Sequence, residues 1–310
     1  MENINTNKGN INTNYNYEII KRIGFEKYGE LFLVSITPNE FGENNLYVLE
    51  KIEVKSKHGK NEILTKIEKV KRIESKYIVK VYDYFFKKES EKEFAFIIMD
   101  YCEKGNLNTI IYDTNYLNKR NIWRIFIQLT QGLKTLHLNY IILKSLSPKN
   151  ILMDKNNNIK ICVFDIIFEF NDLYLLQETE DYTSYICPEI LVGLQFNSKC
   201  DSWSLGCILY ELLFKKRAFE YEKQQHNYIL QNIFSIPDTC ERSFKIILSK
   251  LLCKEKNRLL INEIMSDGII KKKIIEVNIF DEIIRGRING KYLILVNLIY
   301  RFHILFFFKS

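Results

Sequence analysis

The chain has 310 residues, of which 46% are hydrophobic and 14% aromatic, so it is long enough to bury one large core or two smaller ones. Its net charge of +7 comes from scattered basic residues whose longest pure run is 271–273, which favours a solvated surface over a nucleic-acid-binding patch. Seven cysteines, without a CxxC pair or a histidine at ligand spacing, predict reduced, mostly buried thiols and a cytoplasmic or nuclear protein.

The first part of the chain predicts a small β-rich lobe over 17–100, preceded by a disordered Asn-rich arm over 1–16. Five strand-like runs are separated by turn residues or charged segments: YEIIKRIG, ELFLVSI, LYVLEKIEV, YIVKVYDYFF and EFAFIIMDY. Between the third and fourth runs, residues 60–74 have the period of a helix. Its apolar face is formed by Ile63, Ile67, Val70 and Ile73.

The second part predicts a mainly helical lobe over 101–272. Its three helix candidates are NIWRIFIQLTQGLKTLH, KCDSWSLGCILYELLF and SFKIILSKLLCKEKNRLL, and the second is apolar nearly all round, as expected of a central helix. Between the first two lie the stretch LKSLSPKNIL at 143–152 and a hairpin around 154–158. A β-rich lobe followed by a helical lobe is an α+β, two-lobed arrangement with a cleft between the lobes.

About ten motifs, in order from Tyr17 to 272, resemble those of a protein kinase domain. IGFEKYGELFLV resembles the glycine-rich loop, YVLEKI the third strand, and FIIMDYCEKGNL the hinge, whose wording is closest to NIMA-related kinases. LSPKNILMD, NIKICVFD, SYICPEIL, KCDSWSLGCILYELL and Arg258 resemble the catalytic loop, the metal motif, the end of the activation segment, the central helix and the late arginine. The resemblance implies a two-lobed kinase-like fold with a five-stranded first lobe that holds one helix.

The catalytic stretch at 143–150 departs from the family pattern His-Arg-Asp-Leu-Lys-Pro-x-Asn. The aspartate that deprotonates the substrate hydroxyl falls on Ser145, and the lysine that steadies the phosphoryl group falls on Ser147. Asn150 is kept, either as a metal ligand or as a residue that holds the loop. The metal-binding aspartate falls on Val163, so we expect no metal site.

The positions that bind phosphate in the family also depart from the family pattern. Gly24 and Gly29 are kept in the glycine-rich loop, but Glu26 occupies the middle position and would repel phosphates. The family lysine falls on Glu50 and the helix glutamate on Lys66. This exchange predicts a charge-swapped ion pair that can tie strand to helix but cannot hold a nucleotide.

Neighbouring residues offer little compensation. Lys51 is one residue along the strand from Glu50 and should point to the opposite face, and Asp165 lies two residues beyond the metal position. The resemblance still implies an apolar adenine slot, with nucleotide-binding residues Gly24, Gly29, Leu31, Val48, Met99, Asp100, Cys102, Asn150 and Leu152. We expect ATP binding to be weak and independent of Mg²⁺. Adenosine should therefore bind about as well as ATP.

The packing positions, in contrast, are kept. The apolar columns that link the lobes in the family correspond to apolar residues here, and Glu189 and Arg258 match a buried ion pair of the family. The packing residues of a kinase fold are kept, whereas the catalytic and phosphate-binding residues are lost. This pattern favours a pseudokinase, which is not an enzyme. It would act as a protein-binding scaffold or regulator, and its partner would be a protein, such as an active kinase or its substrate.

Two alternatives remain open from the sequence. One is a weak or atypical Ser/Thr protein kinase that transfers phosphate from ATP to protein. The other is a decaying paralogue with little function.

A hydrophobic tail over 273–310 ends the chain. Its stretch at 292–308 has the minimum length of a membrane-spanning helix, but Asn297, Arg301 and His303 oppose insertion. We therefore favour packing of this stretch on the helical lobe or on a partner over a membrane anchor.

Overall fold

The computed structural model describes residues 8–10, 16–25, 29–37, 46–113, 117–144, 146–163, 183–219, 229, 231 and 234–284. An antiparallel sheet forms the first lobe, with strand order β1-β2-β3-β4-β6-β5. Its strands are β1 (Lys8–Asn10), β2 (Asn16–Phe25), β3 (Gly29–Thr37), β4 (Leu46–Val54), β5 (Val81–Glu89) and β6 (Lys92–Asp100). The last five strands are the five that the sequence predicts.

The additional strand β1 lies within the arm over 1–16 that was expected to be disordered, and residues 1–7 and 11–15 of that arm lie outside the described residues. Lys8, Gly9 and Asn10 pair with Glu18, Tyr17 and Asn16 of β2. A polar, repetitive segment can form this ladder because its bonds join backbone groups, which every residue type carries.

Helix α1 (Lys57–Lys71) packs on one face of the sheet. Its first turn is capped by Ser56, whose hydroxyl accepts a hydrogen bond from the amide of Gly59 at 3.0 Å. Ile63, Ile67 and Val70 are buried, as predicted, whereas Ile73 is buried just beyond the end of the helix. The other face of the sheet buries its own cluster: Tyr17, Val34, Ile36, Tyr47, Leu49, Phe96 and Ile98.

The second lobe is mainly helical. Its helices are α2 (Leu107–Tyr112), α3 (Lys119–Leu138), α4 (Pro188–Leu191), α5 (Lys199–Phe214), α6 (Arg242–Leu251), α7 (Ile261–Ser266) and α8 (Gly268–Ile284). A two-stranded hairpin joins β7 (Ile151–Met153) and β8 (Ile159–Ile161), at the predicted place. A single apolar cluster continues from the α1 face of the sheet through this lobe.

Helix α5 is the centre of the second lobe, as its sequence predicts. Every residue from Cys200 to Leu212 is buried. At Gly206 an added Cβ would come within 2.9 Å of Leu251 and 2.8 Å of Leu252, so the absence of a side chain lets α6 approach closely.

Several bounds differ from those predicted: α1 spans Lys57–Lys71 rather than 60–74, and β5 spans Val81–Glu89 rather than 77–86. The third helix candidate, expected over 243–260, ends at Leu251, and a short 3₁₀ helix (Glu255–Asn257) follows. The expected domain boundary at 272 falls inside α8. The stretch 292–308 lies outside the described residues, and none of the helices within them is long and apolar enough to cross a bilayer.

Candidate functional site

A cleft of about 280 Å³ lies between the two lobes, close to the ~300 Å³ lower end of ligand pockets. It combines residues of β2, β3, β4 and the end of β6 with residues of the second lobe. The described lining residues are Ile23, Leu31, Val48, Glu50, Met99, Asp100, Tyr101, Cys102, Glu103, Gly105, Asn106, Lys149, Leu152 and Cys162. The structure thus brings together seven predicted site residues: Leu31, Val48, Glu50, Met99, Asp100, Cys102 and Leu152.

The end of β6 lines one side of the cleft and is held there by contacts of Asp100. The Asp100 carboxylate accepts hydrogen bonds from the Lys80 amide at 2.9 Å and the Tyr82 hydroxyl at 2.9 Å, and it pairs with Lys160 at 2.7 Å. Burial, with the nearby Asp100 charge, raises the pKa of the Cys102 thiol to about 12. This thiol is therefore neutral at physiological pH and contributes an apolar surface.

Glu50 lines the cleft and is only 2% exposed, which confirms that its side chain points inward. Its neighbour Lys51 points to the other face of β4, as predicted. The Lys51 ammonium is 2.6 Å from Glu89 Oε2 and 4.2 Å from the centre of the Phe94 ring. Lys51 is thus committed outside the cleft and does not replace the missing lysine.

Lys66 lies on α1, where its ammonium contacts Glu62 Oε1 at 2.6 Å. We keep the pairing of Glu50 with Lys66 as a prediction. Reversing either charge alone should lower the free energy of unfolding, and the double reversal should recover about 0.5–3 kcal/mol of the summed loss. Urea denaturation of the four proteins measures this coupling.

The Glu68–Arg72 cycle is the control, because this pair does not involve Lys66, lies one helical turn apart with both side chains exposed, and should show a coupling of about 0.3–0.5 kcal/mol. Strictly additive losses at Glu50 and Lys66 would mean that these two residues do not meet.

The two glycines of the predicted phosphate loop have different reasons to be there. At Gly29 an added Cβ would be 2.3 Å from the carbonyl oxygen of Lys51, so the close approach of β3 to β4 requires glycine. At Gly24 the closest atom would be a Leu31 methyl group at 3.8 Å, an ordinary contact. Glu26 lies outside the described residues.

The catalytic-loop stretch is anchored on α5 by Asp201, which is fully buried. Asp201 Oδ1 accepts hydrogen bonds from the backbone amides of Leu143 at 3.1 Å and Lys144 at 2.8 Å, and Oδ2 lies 2.7 Å from His137 Nε2. Ser145 lies outside the described residues. The two residues that precede Ser145 are therefore fixed to α5.

Lys144 bends the chain at this point, with a φ of 63°. Its ammonium lies 4.4 Å from the centre of the Phe196 ring, and burial lowers its pKa. The side chain thus packs toward the segment that follows α4.

At the two positions where the family holds its metal, the described residues are Asn150 and Val163, and Asp165 lies outside the described residues. Ser147 is buried and donates a hydrogen bond to Asn150 Oδ1 at 3.0 Å, and Val163 is apolar and 1% exposed. Mg²⁺ prefers oxygen ligands in a near-octahedral set, usually with carboxylates. Asn150 holds the 3₁₀ turn (Pro148–Asn150), which favours the loop-holding alternative for this residue.

The ion pair predicted between Glu189 and Arg258 is confirmed. Both guanidinium nitrogens lie 3.0 Å from the carboxylate oxygens, and Arg258 also donates to the carbonyl oxygens of Cys253 and Lys199. The pair joins α4, next to the end of the activation segment, to the base of the second lobe.

The expectation that all cysteines are reduced needs correction. Cys187 and Cys200 form a disulfide bond, with their Cα atoms 5.3 Å apart. They are 13 residues apart in sequence and show no local motif, so only the fold brings them together. Among the free cysteines of the described chain, Cys102, Cys162 and Cys207 are buried, as expected.

The family model of the protein kinase domain matches residues 17–270 of this chain. The chain belongs to the protein kinase family. The matched range includes both lobes and the cleft, so the resemblance on which the predicted fold rests is confirmed.

Similar proteins of this kinase domain include several of the NIMA-related type. Serine/threonine-protein kinase Nek3 of Oryza sativa subsp. japonica is 28% identical over 251 residues, which cover 77% of this chain and 41% of that protein. The probable serine/threonine-protein kinase nek2 of Dictyostelium discoideum is 25% identical over 271 residues, 84% of this chain and 64% of that protein. Mouse Nek5 is 31% identical over 217 residues, covering 68% and 33%. The chain thus spans less than two thirds of the length of these relatives.

The prediction that this protein is not an enzyme is wrong. The matching model is that of the protein kinase domain, and these relatives are named serine/threonine-protein kinases. The prediction gave decisive weight to single positions, Ser145 and Val163 above all. The comparisons weigh the whole domain and point to a kinase.

Sequence reasoning missed several residues of the kinase cleft: Ile23, Tyr101, Glu103, Gly105, Asn106, Lys149 and Cys162. Lys149 was within reach, because it stands between Pro148 and Asn150 in a stretch already singled out. The family pattern allows any residue at this position, so nothing drew attention to it.

Proposed function

We propose that this protein is an atypical serine/threonine protein kinase that transfers the terminal phosphoryl group of ATP to a hydroxyl group of a protein. One observation carries the proposal: the cleft between the lobes has an apolar slot, and its lining includes Lys149 of the stretch 143–150 that Asp201 fixes to α5. The relatives named as serine/threonine-protein kinases support the same reaction class.

The adenine ring would lie between Leu31 and Val48 on one side and Leu152 on the other, with the backbone of 99–102 at its edge. Burial of these apolar surfaces favours a flat aromatic ligand, and the backbone supplies its polar partners. We propose modest ATP affinity that does not depend on Mg²⁺, in keeping with the apolar Val163.

In the proposed reaction, the bond between the terminal phosphorus and the bridging oxygen breaks, and a bond to the substrate oxygen forms. ADP leaves with the bridging oxygen, and the hydroxyl proton is lost to solvent or to the products. Positioning supplies much of the rate in phosphoryl transfer. Because Ser145 replaces the carboxylate that accepts this proton, we expect slow turnover.

The substrate would be a protein rather than a nucleic acid, consistent with the scattered basic residues. We retain a cytoplasmic or nuclear location as part of this proposal, on the basis of the five cysteines that stay free in the described chain.

Transfer of labelled phosphate from ATP to general protein substrates tests the function. Purified chain should label serine or threonine, and Val48→Phe should reduce labelling at least about tenfold because the ring fills the adenine slot. Phosphoamino-acid analysis identifies the acceptor.

Val192→Phe is the matched control, because Val192 is 48% exposed and lies outside the cleft. It should label as the unmodified protein does. Labelling that survives Val48→Phe unchanged would show that it comes from a contaminating kinase, and absence of labelling in the unmodified protein would overturn the proposed function.

A further inference from the structure

The disulfide bond between Cys187 and Cys200 joins two elements of the second lobe. Cys187 directly precedes α4, and Cys200 is the second residue of α5. The bond therefore closes a loop that contains α4 and the connection 192–198. Both cysteines are buried, with 0% and 1% of their surface exposed. A covalent bond between two elements restrains how one can move against the other.

The same two elements are also joined by contacts that do not depend on the disulfide bond. Arg258 pairs with Glu189 of α4 and donates a hydrogen bond to the carbonyl oxygen of Lys199 at 3.2 Å. The hydroxyl group of Ser204 donates to the carbonyl oxygen of Tyr185 at 2.8 Å. Because these contacts remain when the bond is broken, we expect reduction to loosen the closed loop without unfolding the lobe.

The closed loop contacts the stretch 143–150. Phe196 belongs to the loop, and the centre of its ring lies 4.4 Å from the ammonium group of Lys144. The backbone amide of Lys144 donates to Asp201 at 2.8 Å, and Asp201 directly follows Cys200 in the sequence. A change in the state of the bond can therefore reach Lys144 through the ring of Phe196 and through the start of α5.

The free cysteines of the described chain are poorly suited to attack this bond. A disulfide bond is attacked by a thiolate rather than by a thiol. Burial raises the pKa of four of these thiols, which stay protonated near neutral pH: Cys102, Cys207, Cys240 and Cys253. The fifth, Cys162, is buried. Exchange at this bond therefore depends on a thiol from outside the chain.

A surface cavity of about 240 Å³ adjoins the bond in the chain. Its described lining includes Pro188 and Glu189, the two residues that follow Cys187. It also includes Val192 and Leu194, whose side chains are exposed. A small external thiol therefore needs only a local opening of this part of the loop to meet the bond, and not global unfolding.

We propose that the Cys187–Cys200 bond is a redox-sensitive tie. When it is oxidised it holds the connection 192–198 and, through Phe196, the stretch 143–150, and when it is reduced both are loosened. Disulfide bonds in cytoplasmic proteins are usually transient and often sense redox conditions, and the proposed location of this protein is of that kind.

The two directions of the redox step use different co-reactants. In reduction, one thiolate of an external dithiol attacks a sulfur atom and the Cys187–Cys200 bond breaks. The second thiol of the reductant then displaces this cysteine, so that two electrons and two protons pass to the cysteines and the dithiol becomes a disulfide. In oxidation, hydrogen peroxide takes two electrons and two protons from the two thiols and becomes two molecules of water.

Comparison of the full chain after treatment with hydrogen peroxide and after treatment with dithiothreitol tests the proposal. Alkylation in denaturant followed by mass spectrometry should find Cys187 and Cys200 blocked in the first form and alkylated in the second. Reduction should lower the thermal midpoint by about 5–10 °C, because a short closed loop is released. Hydrogen exchange at 192–198 and at the Lys144 amide should accelerate at least about tenfold.

Two variants serve as controls. Cys187→Ala combined with Cys200→Ala should behave as the reduced form and should not respond to dithiothreitol. Cys240→Ser should respond as the unmodified protein does, because Cys240 is a free, partly exposed cysteine. In glutathione buffers that range from the poise of the cytosol to that of the endoplasmic reticulum, the unmodified bond should change from open to closed.

Three results would overturn the proposal. One is an equal thermal midpoint and equal exchange rates in the oxidised and reduced forms. Another is a bond that stays closed, or stays open, in every glutathione buffer. The third is zinc that a chelator removes from two thiols, since ligand atoms of Cys187, Cys200 and Glu189 lie within 4.8 Å of one another.

These readouts do not use phosphate transfer, so the inference is separate from the proposed function. If the two forms differ but no phosphate is transferred, the function fails and the redox-sensitive tie stands. If phosphate is transferred and the two forms do not differ, the redox-sensitive tie fails alone.

Discussion

Replacing Glu189 by alanine should lower the free energy of unfolding by about 3–5 kcal/mol, because it leaves the Arg258 guanidinium buried without its carboxylate. Arg258 is 1% exposed, and its two terminal nitrogens each lie 3.0 Å from Glu189. Urea denaturation followed by circular dichroism measures the loss. It should appear as a lower midpoint with little change in slope.

Glu255→Ala is the control, because this carboxylate pairs with Lys199 at 3.6 Å on a side chain that is 38% exposed. It should cost less than about 1 kcal/mol. The double variant Glu189→Leu with Arg258→Met should recover part of the loss, since no charge is then buried. A cost for Glu189→Ala as small as that for Glu255→Ala would show that the pair is not desolvated in solution.

Replacing Asp201 by alanine should cost about 3 kcal/mol or more, because the buried amides of Leu143 and Lys144 lose their acceptor together with His137. The stretch 143–150 should then detach from α5. Hydrogen exchange of the Leu143 and Lys144 amides should accelerate toward that of exposed loops, and any phosphate transfer should fall with it.

Asp201→Asn should lie between the alanine variant and the unmodified protein. Its single oxygen can still accept from the two amides, but its amide nitrogen cannot accept from His137. Asp238→Ala, at a carboxylate that is fully exposed, should change stability by no more than about 0.5 kcal/mol. Unchanged exchange at Leu143 in Asp201→Ala would contradict the anchoring role.

The elements that the sequence predicts well are those whose pattern is decided locally. The helix at 199–214, apolar nearly all round, and the strand at 46–54 appear with their predicted bounds, because each is a mostly apolar run that is buried on both sides over much of its length. Helix α6 ends earlier than predicted. Its continuation at 252–260 keeps an apolar pattern, but the helix ends at Leu251 and Arg258 turns inward to the predicted ion pair with Glu189.

The apolar part of the site could be predicted, because the positions of the motifs alone place Leu31, Val48 and Leu152 in the cleft. It could not be predicted where neighbours compete for the same group. Ser147 donates a hydrogen bond to Asn150 Oδ1, so this amide oxygen is already engaged within the loop. Long-range pairing of Cys187 with Cys200 leaves no signal in one sequence at all.

The short strand β1 has a consequence for how this protein behaves at high concentration. An uncovered sheet edge invites pairing with another chain and so promotes aggregation. Lys8–Asn10 covers Asn16–Glu18 of β2, and the following part of β2 carries Lys21 and Arg22, both exposed. The opposite edge strand, β5, ends in Lys87, Lys88 and Glu89. The pairing of β1 with β2 at one edge, together with the charged residues at both edges, therefore opposes edge-to-edge association of copies of this chain.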